Sequence, residues 1–262
     1  MYRAGRIPYL SIMSMHRFYL PPERWSQEAP ELEASDAHHC ADVLRLEVGD
    51  MVAVFDGQGR VAGAELLSVH RKHCSLLIGD AHVTPALQCS ITLAQAIPKG
   101  KNMDLILQKG VELGASEIVP LLTSRTVVRM DDETDAERKR DRWQQIALEA
   151  CKQCGRNLVP RVALPSTVER FLSNRRATDI LLLASLQPDA RPIKEALALH
   201  ATAHGDLPRS VAVLVGPEGD FTTEEIALLK EAGAVSVTLG PTILRAETAA
   251  LYCLSVLGHE LF

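Results

Sequence analysis

A chain of 262 residues, 47% of them hydrophobic, is long enough for two modest cores and has the composition of a globular protein. No apolar run approaches the ~20 residues of a membrane span. The formal net charge of −5 excludes a polyanion binder that works through bulk positive charge. Only residues 99–161 carry more basic than acidic side chains, so any contact with phosphate has to come from a local basic face.

The first elements are short and β-rich. Residues 15–20 predict a strand that Pro21-Pro22 ends, and residues 36–43, with His38 and His39, predict a short helix. Residues 51–55 predict a strand, Asp56-Gly57-Gln58-Gly59 a hairpin turn, and residues 61–69 and 74–78 two further strands. Short strands spaced by turns suggest a small β-barrel. Residues 1–14 carry Arg3 and Arg6 but no long apolar stretch, so they read as an extension ahead of this domain and not as a signal peptide. Met13 and Met15 are alternative starts, and Thr84-Pro85 marks the domain's end.

Beyond residue 84 strands and helices alternate, which predicts an α/β domain with a parallel sheet. Residues 90–97 form a strand, Pro98-Lys99-Gly100-Lys101 a basic turn, and residues 103–113 a helix stopped by Gly114. A strand over 117–122 leaves as a loop bearing Arg125 and Arg129. Acidic residues 131–137 read as a solvated entry to a helix over 140–154. A helix over 167–173, a buried strand over 179–184 and a helix over 192–200 follow. The six cysteines are scattered, which suits a reducing cytoplasm; Cys151-Lys152-Gln153-Cys154 lacks the two further ligands that structural zinc needs, and reads as helix packing. No metal site is expected.

The last fifty residues organise the chain. Val211–Val215 is an unbroken apolar strand, the kind a parallel sheet buries on both faces. It runs into Gly216-Pro217-Glu218-Gly219-Asp220, and Thr222 with Glu225 has capping-box spacing for the next helix. A second strand, residues 235–239, turns at Gly240-Pro241, and a mostly apolar helix over 246–261 closes the chain. Glycine-rich turns after parallel strands are sites for nucleotide-like ligands.

Gly216-Pro217-Glu218-Gly219, with Leu239-Gly240-Pro241-Thr242-Ile243-Leu244-Arg245-Ala246-Glu247-Thr248-Ala249 some twenty residues later, resembles the C-terminal signature of the SPOUT methyltransferases. Within them the chain is similar to the RsmE family, which methylates N3 of a uridine in 16S ribosomal RNA. The likeness extends to Lys99-Gly100, Gln108-Lys109, Glu112-Leu113-Gly114, and Glu149, Gln153 and Arg156, and in the first domain to Arg17, Phe18, His39, Val43, Leu44 and Arg45. It implies a PUA-like RNA-binding barrel over 15–84 and a SPOUT domain over 85–262 with a C-terminal trefoil knot. The knot's loops would hold S-adenosylmethionine, with Val215, Gly216, Pro217, Glu218, Gly219, Leu239, Gly240, Ile243, Leu244 and Ala249 as contacts. Three positions depart from the family pattern: Asp220 and Ala246 replace Gly and Thr, and Thr242 replaces Arg.

Methyl transfer from a sulfonium is an in-line displacement in which positioning matters most. Uracil N3 must lose its proton, and arginine is suited to stabilising the resulting anion. The resemblance implies Arg125, Arg156 and Arg245 for that task and Glu112, Glu149 or Glu247 as proton acceptors; Glu247 has the alternative of satisfying backbone donors at the last helix. Arg17, Arg45, Lys99, Lys101 and Arg129 are the expected RNA contacts. The expected partners are 16S rRNA or the small subunit and a second copy of the chain. The homodimer rests on the SPOUT resemblance and on a last helix with more Leu, Val and Ala than one core face needs. A SPOUT methyltransferase on another RNA position and a non-catalytic RNA-binding assembly factor are the alternatives.

Overall fold

The computed structural model describes residues 12, 14–128, 130 and 132–262. Most of the expected N-terminal extension, and Arg129, lie outside the described residues. The chain divides into two compact units: one runs up to Ala86 and includes Cys151–Val159, the other comprises Leu87–Ala150 and Pro160–Phe262. Among the described residues no helix is long and apolar enough to cross a membrane.

The first unit contains β1 (Arg17–Tyr19), α1 (Ala34–His38) continuing into a wide π turn at His39–Val43, β2 (Met51–Phe55), β3 (Arg60–His70) and β4 (His73–Val83). The strands pair in the order β1-β2-β3-β4, with β1 parallel to β2 and the others antiparallel. These strands form the sheet of the expected PUA-like domain, and two register shifts in the β3–β4 pair add local twist. Asp56 builds the β2–β3 turn. It is buried, its Oδ1 accepts the N–H groups of Gln58 and Arg60 at 2.8 and 2.9 Å, and Arg60 pairs with its Oδ2 at 2.6 Å. Gly57 and Gly59 supply the positive φ values that the turn requires. Phe18, Leu20, Val52, Val54, Leu66 and Leu76 form the core.

The return of residues 151–159 to this unit is not visible in the sequence pattern. Asn157 anchors it: its carbonyl accepts the Gly59 N–H at 3.0 Å, its Nδ2 donates to Thr84 Oγ1 at 2.7 Å, and its Oδ1 accepts from Arg17. Lys152 pairs with Asp36 at 2.7 Å.

The second unit contains β5 (Ser90–Ala96), α2 (Asn102–Glu112), β6 (Glu117–Leu122), α3 (Glu133–Cys154, whose last residues belong to the first unit), β7 (Arg161–Val162), β8 (Ser166–Thr167), α4 (Val168–Asn174), β9 (Ile180–Ala184), β10 (Arg191–Pro192), α5 (Ile193–His204), β11 (Ser210–Val215), α6 (Thr223–Glu231), β12 (Val235–Thr238) and α7 (Ala246–Leu261). Its strands run β10-β12-β9-β11-β5-β6-β7, with β8 also against β6, and every pair is parallel. The apolar run of β11 is central, between β9 and β5, and Val211–Val215 is buried throughout. α3 begins earlier than the sequence suggests. The acidic residues Asp132, Glu133 and Asp135 suit the positive end of a helix, and Asp135 pairs with Arg138 and Lys139 at 2.8 and 2.6 Å. α7 packs on α2, where a Cβ on Gly110 would sit 3.3 Å from Ile118 and 3.6 Å from Leu254; glycine permits that approach.

Candidate functional site

Three loops at the C-terminal ends of β9, β11 and β12 enclose a cleft of about 600 Å³ counted with its mouth. The β11 loop is a closed turn. The N–H of Asp220 donates to Pro217 O at 2.9 Å, and Asp220, at φ +61°, accepts the Phe221 N–H on Oδ1 at 2.8 Å. A Cβ on Gly216 would lie 3.0 Å from that Oδ1 and 3.2 Å from the Phe221 ring, so the turn would have to give by a few tenths of an ångström to admit one. The expected capping box follows: Thr222 Oγ1 accepts from Glu225 N at 3.3 Å and Glu225 Oε2 from Thr222 N at 2.9 Å. Glu218 Oε1 accepts the Lys99 N–H at 3.0 Å, which pins the basic turn after β5 beside this loop. The β12 loop turns at Gly240, at φ +115°, and passes through Ile243 and Leu244 into α7.

Of the residues expected around a cofactor, Val215, Gly216, Pro217, Glu218, Leu239, Gly240, Ile243, Leu244 and Ala249 all line this cleft. Gly219 does not; its carbonyl accepts the Arg125 guanidinium, whose Cδ lies 3.2 Å from where a Cβ would stand. The three departures, Asp220, Thr242 and Ala246, line it as well. The third wall, Ala184, Ser185 and Leu186 after β9, was not anticipated. The signal for it is indirect: once β9 is known to lie between β11 and β12, its C-terminal end must share their mouth.

The candidate catalytic groups are placed differently from one another. Arg125 is tied to the β11 loop through Gly219 O and, at 3.4 Å, Phe221 O. Arg245 opens α7 next to Ala246; it is exposed and has no hydrogen-bond or ion-pair partner among the described residues. Glu247 is half-buried and likewise makes no such contact, so it does not cap α7. Glu112 is held by Lys109 at 2.9 Å, and Glu149 accepts from Gln145 at 2.9 Å. Arg156 belongs to the first unit, where burial holds its guanidinium below the usual range, opposed by Cys151 and Cys154. Burial also pushes the Cys151 thiol up to about 12, so Cys151 is not an activated thiolate.

Among the expected RNA contacts, Arg17 is engaged inside its own unit. Its guanidinium donates to Asn157 and, at 3.4 Å, to Arg156 O, and lies 4.9 Å from the Phe55 ring centroid. Arg45, at φ +55°, is exposed, as are Lys99 and Lys101.

The RNA methyltransferase domain model matches residues 85–258, and the RNA methyltransferase PUA domain model matches 32–79. Ribosomal RNA small subunit methyltransferase E of Bacillus subtilis is 33% identical over 252 residues, covering 94% of this chain and 97% of the relative. The chain belongs to the ribosomal RNA small subunit methyltransferase E family. A methyltransferase from Legionella pneumophila, solved with bound S-adenosylmethionine, superposes with a TM-score of 0.84 at 32% identity, covering 94% of this chain and 98% of that one. The Neisseria gonorrhoeae member of the family, bound to S-adenosylmethionine, gives a TM-score of 0.79 at 31% identity with the same coverage.

The Neisseria gonorrhoeae family member and the Legionella pneumophila protein both carry this cofactor, and the cleft suits it. Ile243 is 82% and Leu186 62% exposed although both line the cleft, leaving bare apolar surface of the kind a flat heteroaromatic ring covers. Glu218 and Asp220 add carboxylates that suit a ligand carrying positive charge.

Proposed function

We propose that this protein methylates N3 of a specific uridine in the 16S RNA of the small ribosomal subunit, with S-adenosylmethionine as donor. The observation that carries the reading is the cleft itself: loops from three adjacent parallel strands converge, and two of them bear the Gly216–Gly219 and Leu239–Ala249 motifs. Val215, Leu239, Ile243 and Leu244 would hold the adenine between apolar walls, and the backbone of the two turns would read its edge. When bound, S-adenosylmethionine supplies a methyl group on a positively charged sulfur.

The chain's own groups have to select the uracil, remove its N3 proton and stabilise the anion. Arg245 is available for this, because no carboxylate among the described residues pairs with it; a guanidinium beside uracil O2 or O4 opposes the charge left when N3 is deprotonated. Glu247 is the acceptor this reading favours, since Glu112 is neutralised by Lys109 and Glu149 is held by Gln145. Arg125 acts through position: by holding Gly219 and Phe221 it fixes one wall of the cleft. Arg45, Lys99 and Lys101, exposed and basic, serve as phosphate contacts; Arg129 remains a candidate for the RNA side and Arg156 a candidate for stabilising the anion.

The same reading includes a trefoil knot in the C-terminal segment, action in the cytoplasm and a homodimer joined through α7. Tyr252, 43% exposed on that mostly apolar helix, supports the dimer. Calorimetry with S-adenosylmethionine, followed by methyl transfer to small subunits lacking the modification, tests the function. Binding with transfer fits; binding without transfer makes the protein an assembly factor. Light scattering that finds a fully active monomer at micromolar concentration removes the dimer.

A further inference from the structure

A second opening lies in the same unit, at the N-terminal ends of the strands, so roughly 16 Å of β11 separates it from the cleft. Its floor is one face of three neighbouring strands. Ser210 pairs with Ser90, Ala212 with Thr92, and Thr92 with Glu117. Side chains alternate between faces, and the opposite face at this level carries Ile91, Leu93, Val211, Val213 and Ile118, all fully buried. A parallel sheet covered on both sides has large apolar residues on both. Here one side carries serine and threonine, with Ser90 exposed and Thr92 half-buried, and the result is an open groove of about 1800 Å³ counted with its mouth.

The walls of this groove carry four arginines: Arg161, Arg170, Arg175 and Arg176. Glu117, the carboxylate that lines it, pairs with Arg161 at 3.2 Å. The adjacent Asp179 is committed to the backbone N–H groups of Arg209 and Ser210 at 2.8 and 2.9 Å. Arg175 donates from Nη1 to Thr178 Oγ1 at 3.4 Å, while its Nε is buried with no hydrogen-bond partner. Arg170 and Arg176 are exposed and have no ion-pair partner among the described residues. Guanidinium groups gathered around hydroxyls, with their one lining carboxylate already paired, form a receptor for an anion, and their planar forks match phosphate oxygens. Leu164 and Pro165 add an apolar wall against which a sugar or base can lie.

We propose that this groove binds the phosphate of a nucleotide, either free or within an RNA strand, through Arg170, Arg175 and Arg176. The site is separate from the cofactor cleft and its test does not depend on methylation. The full chain and an Arg170→Ala/Arg176→Ala variant are titrated with inorganic pyrophosphate, a mononucleotide and a short single-stranded RNA at two salt concentrations, with S-adenosylmethionine affinity as the control for folding. The expected result is affinity at least fivefold weaker in the variant and an RNA salt slope flatter by about 1.4, the value for two lost phosphate contacts on a single strand. Arg176→Gln alone, at an exposed side chain, should give a smaller loss in the same direction. Loss confined to the RNA identifies a strand as the ligand; loss with pyrophosphate and mononucleotide identifies a free nucleotide. Failure of the wild type to bind any of the three probes, or equal affinities in wild type and variants, overturns the proposal.

Discussion

In the proposed mechanism, Arg245 is the residue on which the chemistry depends most. It is exposed and has no ion-pair partner among the described residues, beside the cleft-lining Ala246, so its removal should leave the fold alone. Arg245→Ala should lower the methylation rate by roughly 10²- to 10³-fold, as expected for losing one charge-stabilising donor, with melting temperature and cofactor affinity unchanged. Arg245→Lys should recover part of the rate. A variant that melts early and fails to bind S-adenosylmethionine would make the residue structural. Asp220 poses a different question, because it holds φ +61° where the family pattern has glycine. Asp220→Ala keeps a side chain in the left-handed region and loses the bond to Phe221 N–H, at a combined cost of about 1–3 kcal/mol. Asp220→Gly loses the same bond but relieves the strain, so it should stay near wild type in melting temperature and cofactor affinity. Equal losses in the two variants would show that strain at this turn is not what matters.

Among the elements, the start of α6 connects two loops. Glu225 is buried, accepts Thr222 N–H, and also accepts Ser124 N–H at 2.8 Å and Ser124 Oγ at 3.1 Å, which fastens the loop carrying Arg125. Glu225→Ala leaves backbone donors without an acceptor and should cost about 2–4 kcal/mol in denaturant unfolding. Loss of under ~0.5 kcal/mol, the range of an ordinary surface change, would contradict this role. The starts of β9 and β11 are joined by Asp179, whose carboxyl is held below the usual carboxylate range, first by the Arg209 N–H and then by Ser210. Because the folded form binds its proton more weakly than the unfolded one, its stabilisation is complete above about pH 4 and is lost as pH falls through the folded value. Asp179→Asn should therefore lower the melting temperature by a constant amount from about pH 5 to 8, with the gap closing below about pH 4. A gap that varies between pH 5 and 8 would assign the effect to another group.

These elements also separate what the sequence makes legible from what it hides. The Thr222–Glu225 box, the Gly216 and Gly240 turns and the central strand are readable because each depends on residues a few positions apart. Ser185 and Leu186 were missed because their place depends on which strands flank β9, and the return of Asn157 depends on contacts with Gly59 and Thr84, far away in sequence. Arg17 matched an RNA-contact pattern, yet its guanidinium is occupied by Asn157; a sequence motif does not reveal a competing internal partner.

At the scale of the whole molecule, a net charge of −5 is compatible with an RNA substrate only if basic groups are concentrated where phosphates come. The exposed Lys99 and Lys101 lie on the turn that Glu218 holds beside the cleft. The central proposal is that a single uridine of the small-subunit RNA is methylated at N3. It is tested most directly by mapping modified nucleotides in that RNA from cells lacking the gene, and from the same cells complemented with wild type or Arg245→Ala. The account predicts that one N3-methyluridine disappears on deletion, returns with wild type and returns poorly with the variant. An unchanged modification map, or loss of a methyl group from a different atom or base, would contradict it.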